Sequence, residues 1–262
     1  RTVENEQMDA VQNPVDKYQK PLTIAGVILI AITFGYVGFT RFYLEPQQEK
    51  GSADMFEAEK WFGKDSFALA LNGVIGDQGF AGFEDIAKEY GMTDAGNVAH
   101  YYAGICNLNL GSTATDSVKA VTYFENAADH LKNFKTDSRI LGPMGLGATG
   151  DALCELSEFA EAAAYYQKAA SADDNEYTAS MYLKKAGLVY EKLGQYDKAV
   201  ERLTKLTELQ PDVASYYEYL ANAYLQAGNK EKATESITRY AELTNSESAR
   251  EKADQFIKQF NN

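Results

Sequence analysis

The hydrophobic pattern of this chain has two parts, an unbroken apolar run near the start and then apolar positions recurring at helical spacing with a 34-residue period. The run is Leu22 to Thr40, LTIAGVILIAITFGYVGFT, nineteen residues without a charge. As a helix it spans roughly 28 Å, about the hydrocarbon thickness of a bilayer. Lys17, Tyr18 and Lys20 border one end and Phe39, Arg41, Phe42 and Tyr43 the other, the residue types that anchor a helix at membrane interfaces. A cleaved signal peptide has a shorter apolar core and ends in small residues, so residues 17–45 are predicted to be an uncleaved signal-anchor helix in membrane lipid. A buried core helix is the competing reading, and it would be the only uncharged helix in the chain. Residues 1–16 are polar, lack apolar periodicity and include Pro14, which predicts a disordered tail.

The period shows when Tyr190, Gly194 and Ala199 are stepped forward by 34 onto Tyr224, Gly228 and Ala233. The fullest copy carries Gly187, Tyr190, Leu193, Gly194, Tyr196, Ala199, Leu203, Leu206 and Pro211. These residues resemble the tetratricopeptide repeat (TPR), in which small and aromatic positions let two antiparallel helices pack closely and stack on the next pair. A following copy has Tyr217, Leu220, Ala221, Tyr224, Gly228, Ala233 and Ile237. A preceding one has Leu146, Gly150, Leu153, Leu156, Phe159, Ala162, Tyr166 and Ala169, with Ser157 in place of the turn glycine. There the step is 37, and the loop from Ser171 to Glu176 absorbs the three extra residues. An earlier copy is visible in Gly104, Leu110, Gly111, Ala120, Phe124 and Ala127, with a longer turn, Ser112 to Asp116. Upstream, Phe67–Asn72 and Phe83–Tyr90 read as a degenerate pair. Ser246 can cap a last helix whose Ala249, Ala253, Phe256, Ile257 and Phe260 form one stripe, as a terminal capping helix requires.

The predicted fold class is all-α: a single N-terminal transmembrane helix followed by a TPR-like α-solenoid with a C-terminal capping helix. Its parts are a tail (1–16), the anchor (17–45), a linker with the degenerate pair (46–96), the repeats (97–245) and the cap (246–262). Composition agrees, with abundant Ala and Tyr, five prolines and few β-branched runs outside the apolar segment. Net charge is −13, and residues 51–262 hold 20 Lys+Arg against 32 Asp+Glu, hence −12 in this part. So acidic a surface, without a basic stripe, repels phosphate backbones and predicts no nucleic-acid partner.

Little in the sequence offers chemistry. His100 and His130 lie thirty residues apart, outside any metal-ligand spacing, and read as structural or surface residues. Cys106 and Cys154 fall on the first helices of their repeats with no C-x-x-C spacing. They could pair in an oxidising compartment, although buried cysteines more often act as small apolar residues. Gly142, Gly145, Gly147 and Gly150 invite a nucleotide-loop reading, but no strand precedes them, and glycine at a repeat helix permits close packing. No cofactor or catalytic constellation is predicted, so an enzyme is disfavoured.

The resemblance to TPR proteins implies a concave groove lined by the first helix of each repeat. Carried onto this sequence, its groove positions include Tyr101, Leu108, Asn109, Met144, Asp151, Glu155, Met181, Lys184, Leu188, Glu191, Lys192, Glu218, Asn222 and Gln226. Their mixture of apolar and acidic character suits an extended or helical peptide. The alternative is that Met181, Leu188 and Tyr101 pack against neighbouring helices and fill the groove. The Lys and Asn set with which some TPR proteins clamp a carboxylate tail is incomplete, since Leu188 stands where that clamp has Asn. In the membrane helix, Ala31 and Gly35, with Gly38 beyond, form a small-residue face that a second helix could approach.

The layout of tail, signal-anchor and TPR array resembles the YfgM-type ancillary subunits of the bacterial SecYEG translocon. That resemblance implies a single-pass inner-membrane protein with a cytoplasmic N-terminus and a periplasmic repeat domain. It also implies association with SecYEG and a PpiD-type membrane-anchored prolyl isomerase. Lys17 and Lys20 before the anchor and Arg41 and Lys50 after it give little charge asymmetry of their own. A scaffold for another envelope or secretion complex is the alternative.

Overall fold

The computed structural model describes the backbone of residues 2–77, 79–172 and 175–261, with side chains from Tyr18 to Gln259. Thirteen α-helices follow one another among the described residues: α1 (Thr2–Phe39), α2 (Glu45–Phe62), α3 (Phe67–Asn72), α4 (Phe83–Glu89), α5 (Asp94–Thr113), α6 (Ser117–Asn133), α7 (Leu141–Glu155), α8 (Phe159–Ser171), α9 (Glu176–Lys192), α10 (Tyr196–Leu209), α11 (Ala214–Gln226), α12 (Lys230–Thr244) and α13 (Glu247–Asn261). One isolated bridge, Val74 to Phe80, is the only extended pairing among the described residues. The all-α fold class read from the sequence is the one observed.

The apolar run lies in α1, and none of its apolar window is buried inside the protein. It is the one described helix long and apolar enough to cross a membrane. The hydroxyls of Thr23, Thr33 and Thr40 each donate to the carbonyl four residues back, at 2.8 to 2.9 Å, so they need no water. The reading as a buried core helix is therefore overturned.

Two boundaries differ from the sequence prediction. The tail expected to be disordered continues as helix back to Thr2, because extending an existing helix costs far less than nucleating one; the side chains of residues 1–17 and Phe260 lie outside the described residues. The expected linker after residue 45 is also helical. α1 passes through a π-helical turn, Thr40–Leu44, directly into α2. In this turn the Glu45 N–H bonds Thr40 O, five residues back, and Pro46 follows at the start of α2, where a missing N–H is tolerated. Arg41 pairs with Glu45 and Phe39 stacks on Tyr43 across the turn. α2 then buries Gly51, Met55 and Ala58. A Cβ on Gly51 would sit 3.0 Å from both Ala95 Cβ and Tyr90 Cγ, so glycine lets α2 lie close against the α4–α5 corner.

From α5 onward the helices pair as α5/α6, α7/α8, α9/α10 and α11/α12. A small residue on the first helix faces a large one on the second: Gly150 meets Tyr166, Gly187 meets Leu203, and Ala221 shares a cluster with Ile237. In each pair the partners are 16 residues apart. In the first pair the helices are longer, and Gly104 meets Leu131 while Gly111 meets Phe124. The later pairs share one turn. Glu158, Gln195 and Asn229 donate their N–H to Leu153, Tyr190 and Tyr224, and the residue before each has a left-handed φ: Ser157 at 63°, Gly194 at 68° and Gly228 at 81°. Ser157 pays the steric penalty that the two glycines avoid. The array ends on α13, capped by Ser246 Oγ, which accepts from Ala249 N at 3.2 Å. Ala249 and Ala253 cover Ala221, Ile237 and Ala241.

Two stability outcomes are expected from this packing. Ser157→Gly should raise unfolding free energy by roughly 0.5–1 kcal/mol in urea denaturation, since the turn conformation is retained and only the strain goes; an unchanged or lower midpoint would contradict the shared turn. Deleting residues 246–262 uncovers Ile237 and Ala221, so circular dichroism melts should broaden and the protein should aggregate.

Candidate binding groove

The first helices of the four pairs are α5, α7, α9 and α11, and α5 touches α7 as α9 touches α11. Leu108 and Asn109 of α5 and Asp151 and Glu155 of α7 line one cavity of about 380 Å³ together with Ser112, Cys154 and Tyr166. Its floor is polar and tied down. The Asp151 carboxylate accepts from Tyr166 OH at 2.6 Å and from Lys185 Nζ at 2.6 and 2.8 Å, which joins α7 to both α8 and α9. Burial, then the Asp151 charge, pushes the Tyr166 phenol above its ordinary range, so it stays a donor at all physiological pH. Tyr166 OH also lies 3.5 Å from Cys154 Sγ. Burial likewise raises the Cys154 thiol, and both cysteines are free.

Three of the cavity residues escaped sequence reasoning. Cys154 occupies the same register as Leu108 and Glu191, so stepping the groove positions through every repeat finds it. Ser112 lies one helical turn after Leu108. Tyr166 belongs to a second helix and reaches the cavity edge past Gly150; nothing in the groove pattern signals it.

Next to this cavity the groove is filled. Tyr182 of α9 lies over Gly147, where a Cβ would fall 2.0 Å from its ring, and it stacks on Tyr166 with centroids 6.3 Å apart. Burial first and Asp151 second push the Tyr182 phenol up to about 12. Phe134 presses on Gly145 in the same way. Gly145, Gly147 and Gly150 thus receive aromatic rings within a helix, which removes the nucleotide-loop reading. Tyr101 is also absent from the open groove: it is 7% exposed and packs with Leu131, Phe134 and Ala148. Met181 packs against the main core, Leu188 is half-buried, and Met144 is exposed.

Towards the C-terminal end the lysines are engaged. Lys184 lies over the Tyr219 ring at 5.6 Å and Lys192 over Phe159 at 4.0 Å. Glu218 accepts from Lys252 of α13 at 2.7 Å, and Asn222 donates to Glu218 O within α11. Gln226 is exposed. Glu191 differs: its Oε1 is buried without a hydrogen-bond partner among the described residues, and burial raises its pKa. Glu155 stands exposed at the cavity rim. The groove therefore offers an apolar wall and acidic groups, its lysines being held by rings and carboxylates. No group of three or more His, Cys, Asp or Glu is placed to hold a metal among the described residues. On α1, Ala31 and Gly35 are exposed and Gly38 is half-exposed, and a Cβ on Gly35 or Gly38 would meet nothing within 4 Å.

The paired helices, the repeated turn and the concave face have a counterpart among known proteins. A sequence profile of the tetratricopeptide repeat matches residues 184–250. Residues 184–250 therefore carry tetratricopeptide repeats. Solved structures extend the likeness to most of the TPR array. A crystal structure of MamA is 20% identical over 72% of this chain and 94% of its own, with a TM-score of 0.54. MamA from Desulfovibrio magneticus RS-1 is 20% identical over 76% and 97%, with a TM-score of 0.50. YrrB, described as a TPR protein with an unusual peptide-binding site, is 18% identical over 77% and 90%, with a TM-score of 0.55. At these identities the chain and its structural neighbours share a fold. No curated protein matches the chain.

Asp151 is the test of the groove floor. Asp151→Asn removes the charge that holds Lys185 while keeping an acceptor for Tyr166, so urea denaturation should show a loss of about 1 kcal/mol with unchanged helicity. A wild-type midpoint would mean that the α7–α9 bridge contributes nothing.

Proposed function

We propose that this TPR protein is a membrane-tethered binding module: α1 sits in lipid, and the repeat array displays the α5–α7 cavity to an extended polypeptide segment. The observation that carries the reading is the exposed apolar helix running without a linker into a solenoid whose groove retains an open, acid-rimmed cavity. Leu108 favours an apolar side chain in the bound segment, and Glu155 favours a basic one. The peptide-binding site named for YrrB supports the same use of the shared fold. Within that reading, the tail–anchor–array layout and its resemblance to YfgM-type proteins support an accessory role at a SecYEG-type translocon in the bacterial inner membrane. The repeats would be periplasmic, beside a PpiD-type prolyl isomerase. The second reading, a scaffold of another envelope or secretion complex, uses the same groove.

Photo-crosslinkers at Leu108 and Glu155 of the full-length protein in native membranes separate these readings. SecY and a prolyl isomerase among the adducts support the translocon role, whereas subunits of another complex support the scaffold. Adducts to no polypeptide from either position would overturn the binding groove. Glu155→Lys is expected to weaken capture roughly fivefold, the effect of about 1 kcal/mol at a rim charge.

A further inference from the structure

Exposed apolar side chains recur at one place in successive repeats. Met92, Ile140 and Tyr177 stand just before or just inside the N-termini of α5, α7 and α9, and they are 68 to 75% exposed. A single exposed apolar residue is ordinary on a protein surface. Three at matching positions of neighbouring first helices make an edge.

Contacts between the first helices put these residues at one end of the array. Tyr101 of α5 packs with Ala148 of α7, while Leu108 and Glu155 line one cavity, and both pairs are 47 residues apart. The two helices therefore run in the same direction, and the same step carries Asp94, the first residue of α5, onto Leu141, the first of α7. Likewise Gly147 lies under Tyr182, 35 residues on, and that step carries Leu141 onto Glu176, where α9 begins.

α2 fixes which end this is. The Ala95 N–H donates to Gln48 Oε1 at 3.1 Å and Ala95 lies against Gly51, whereas Phe62, at the far end of α2, meets Tyr102 at 5.0 Å. α5 thus runs with α2, away from α1, and its N-terminus is the end next to α1. Met92 lines a cavity of about 420 Å³ with Leu44, Glu45 and Gln48. Asn97 donates to Lys135 O at 2.6 Å and accepts from Lys135 N at 2.9 Å, which ties the segment leading to Ile140 to the same end of α5.

The apolar run ends at Thr40, and Leu44 is four residues further on, roughly 6 Å along the helix. The headgroup layer on each side of a bilayer's hydrocarbon core is about 5–8 Å thick. With α1 across a bilayer, Met92 therefore falls at headgroup depth, level with the aromatic belt of Phe42 and Tyr43. We propose that this end of the array is a second membrane contact, in which Met92 and Ile140 enter the interfacial layer of the same bilayer and seat the first two repeats on the lipid surface. The proposal rests on the reading of α1 as a membrane anchor. Tyr177 extends the edge into the third repeat. The exposed carboxylates of Glu49, Asp94 and Glu176 and the exposed ammonium of Lys135 give the edge both signs of charge, which matches zwitterionic headgroups.

The test uses the full chain in proteoliposomes of phosphatidylcholine and phosphatidylethanolamine, with benzoylphenylalanine replacing Ile28, Met92, Val118 or Ile140 in turn. Ile28 lies within the apolar run and reports on the anchor. Val118, as exposed as Met92, opens α6 at the opposite end of the first repeat. After irradiation, intact-mass measurement should find phospholipid adducts at position 28. Adducts at 92 and 140 should exceed those at 118 by about tenfold, the ratio expected when part of a large apolar side chain leaves water. Adducts at 28 with either 92 or 140 no higher than 118 would overturn the contact and leave the anchor standing. Chain-to-chain adducts at 92 and 140 in place of lipid would assign the edge to a second copy and overturn it too. No lipid adduct at 28 would sink the anchor reading and the proposal with it.

Discussion

Every repeat depends on one close approach, in which a side chain of the second helix fills the space left by a small residue on the first. Tyr166 on Gly150 and Leu203 on Gly187 leave no room for a β-carbon, since one built there would lie within 2.7 Å of the facing ring or side chain. This contact sets the spacing between paired helices, and the spacing decides which face of the first helix remains open to solvent. At α7 the same principle acts on several sides: Phe134, Tyr166 and Tyr182 all bear on its glycines. α7 is consequently a hub onto which α6, α8 and α9 pack, and the groove is shaped by what these aromatics leave unfilled.

That logic explains what the sequence made legible. A contact 16 residues apart, repeated every 34 to 37, leaves a spacing that can be read without a structure, as does the turn with its glycine or Ser157. The capping stripe on α13 was equally plain. The open part of the groove was only partly so. Asp151 and Glu155 fall where the TPR register puts them, but Tyr101 is buried by Phe134, and Tyr182 covers Gly147; both depend on residues outside the repeat's own groove positions. The meeting of His100 and His130, whose Nδ1 atoms lie 2.9 Å apart, was invisible, because their thirty-residue separation acquires meaning only once the longer turn and longer helices of the first pair are known.

The N-terminal third departs from the repeat pattern for a different reason. α2 carries only Gly51, Met55 and Ala58 as its buried stripe, too sparse to distinguish from a polar linker. Its neighbours α3 and α4 are six and seven residues long, and aromatic packing does the work that helix length does elsewhere. Phe62 meets Phe67, Phe83 and Tyr102 edge-on at 5.0 to 6.1 Å, while Phe83 stacks on Tyr102 at 4.9 Å. These rings join the short helices to α5 and replace the helix-pair geometry that the downstream repeats share.

The uninterrupted passage from α1 through the π-helical turn into α2 has a mechanical consequence. A flexible tether would let the array swivel freely, whereas this one resembles the shaft of a key: twisting α1 turns whatever is clamped to its far end. Gly51 is the tooth, seated against Tyr90 and Ala95. Whatever grips the shaft therefore also chooses the compass bearing of the groove.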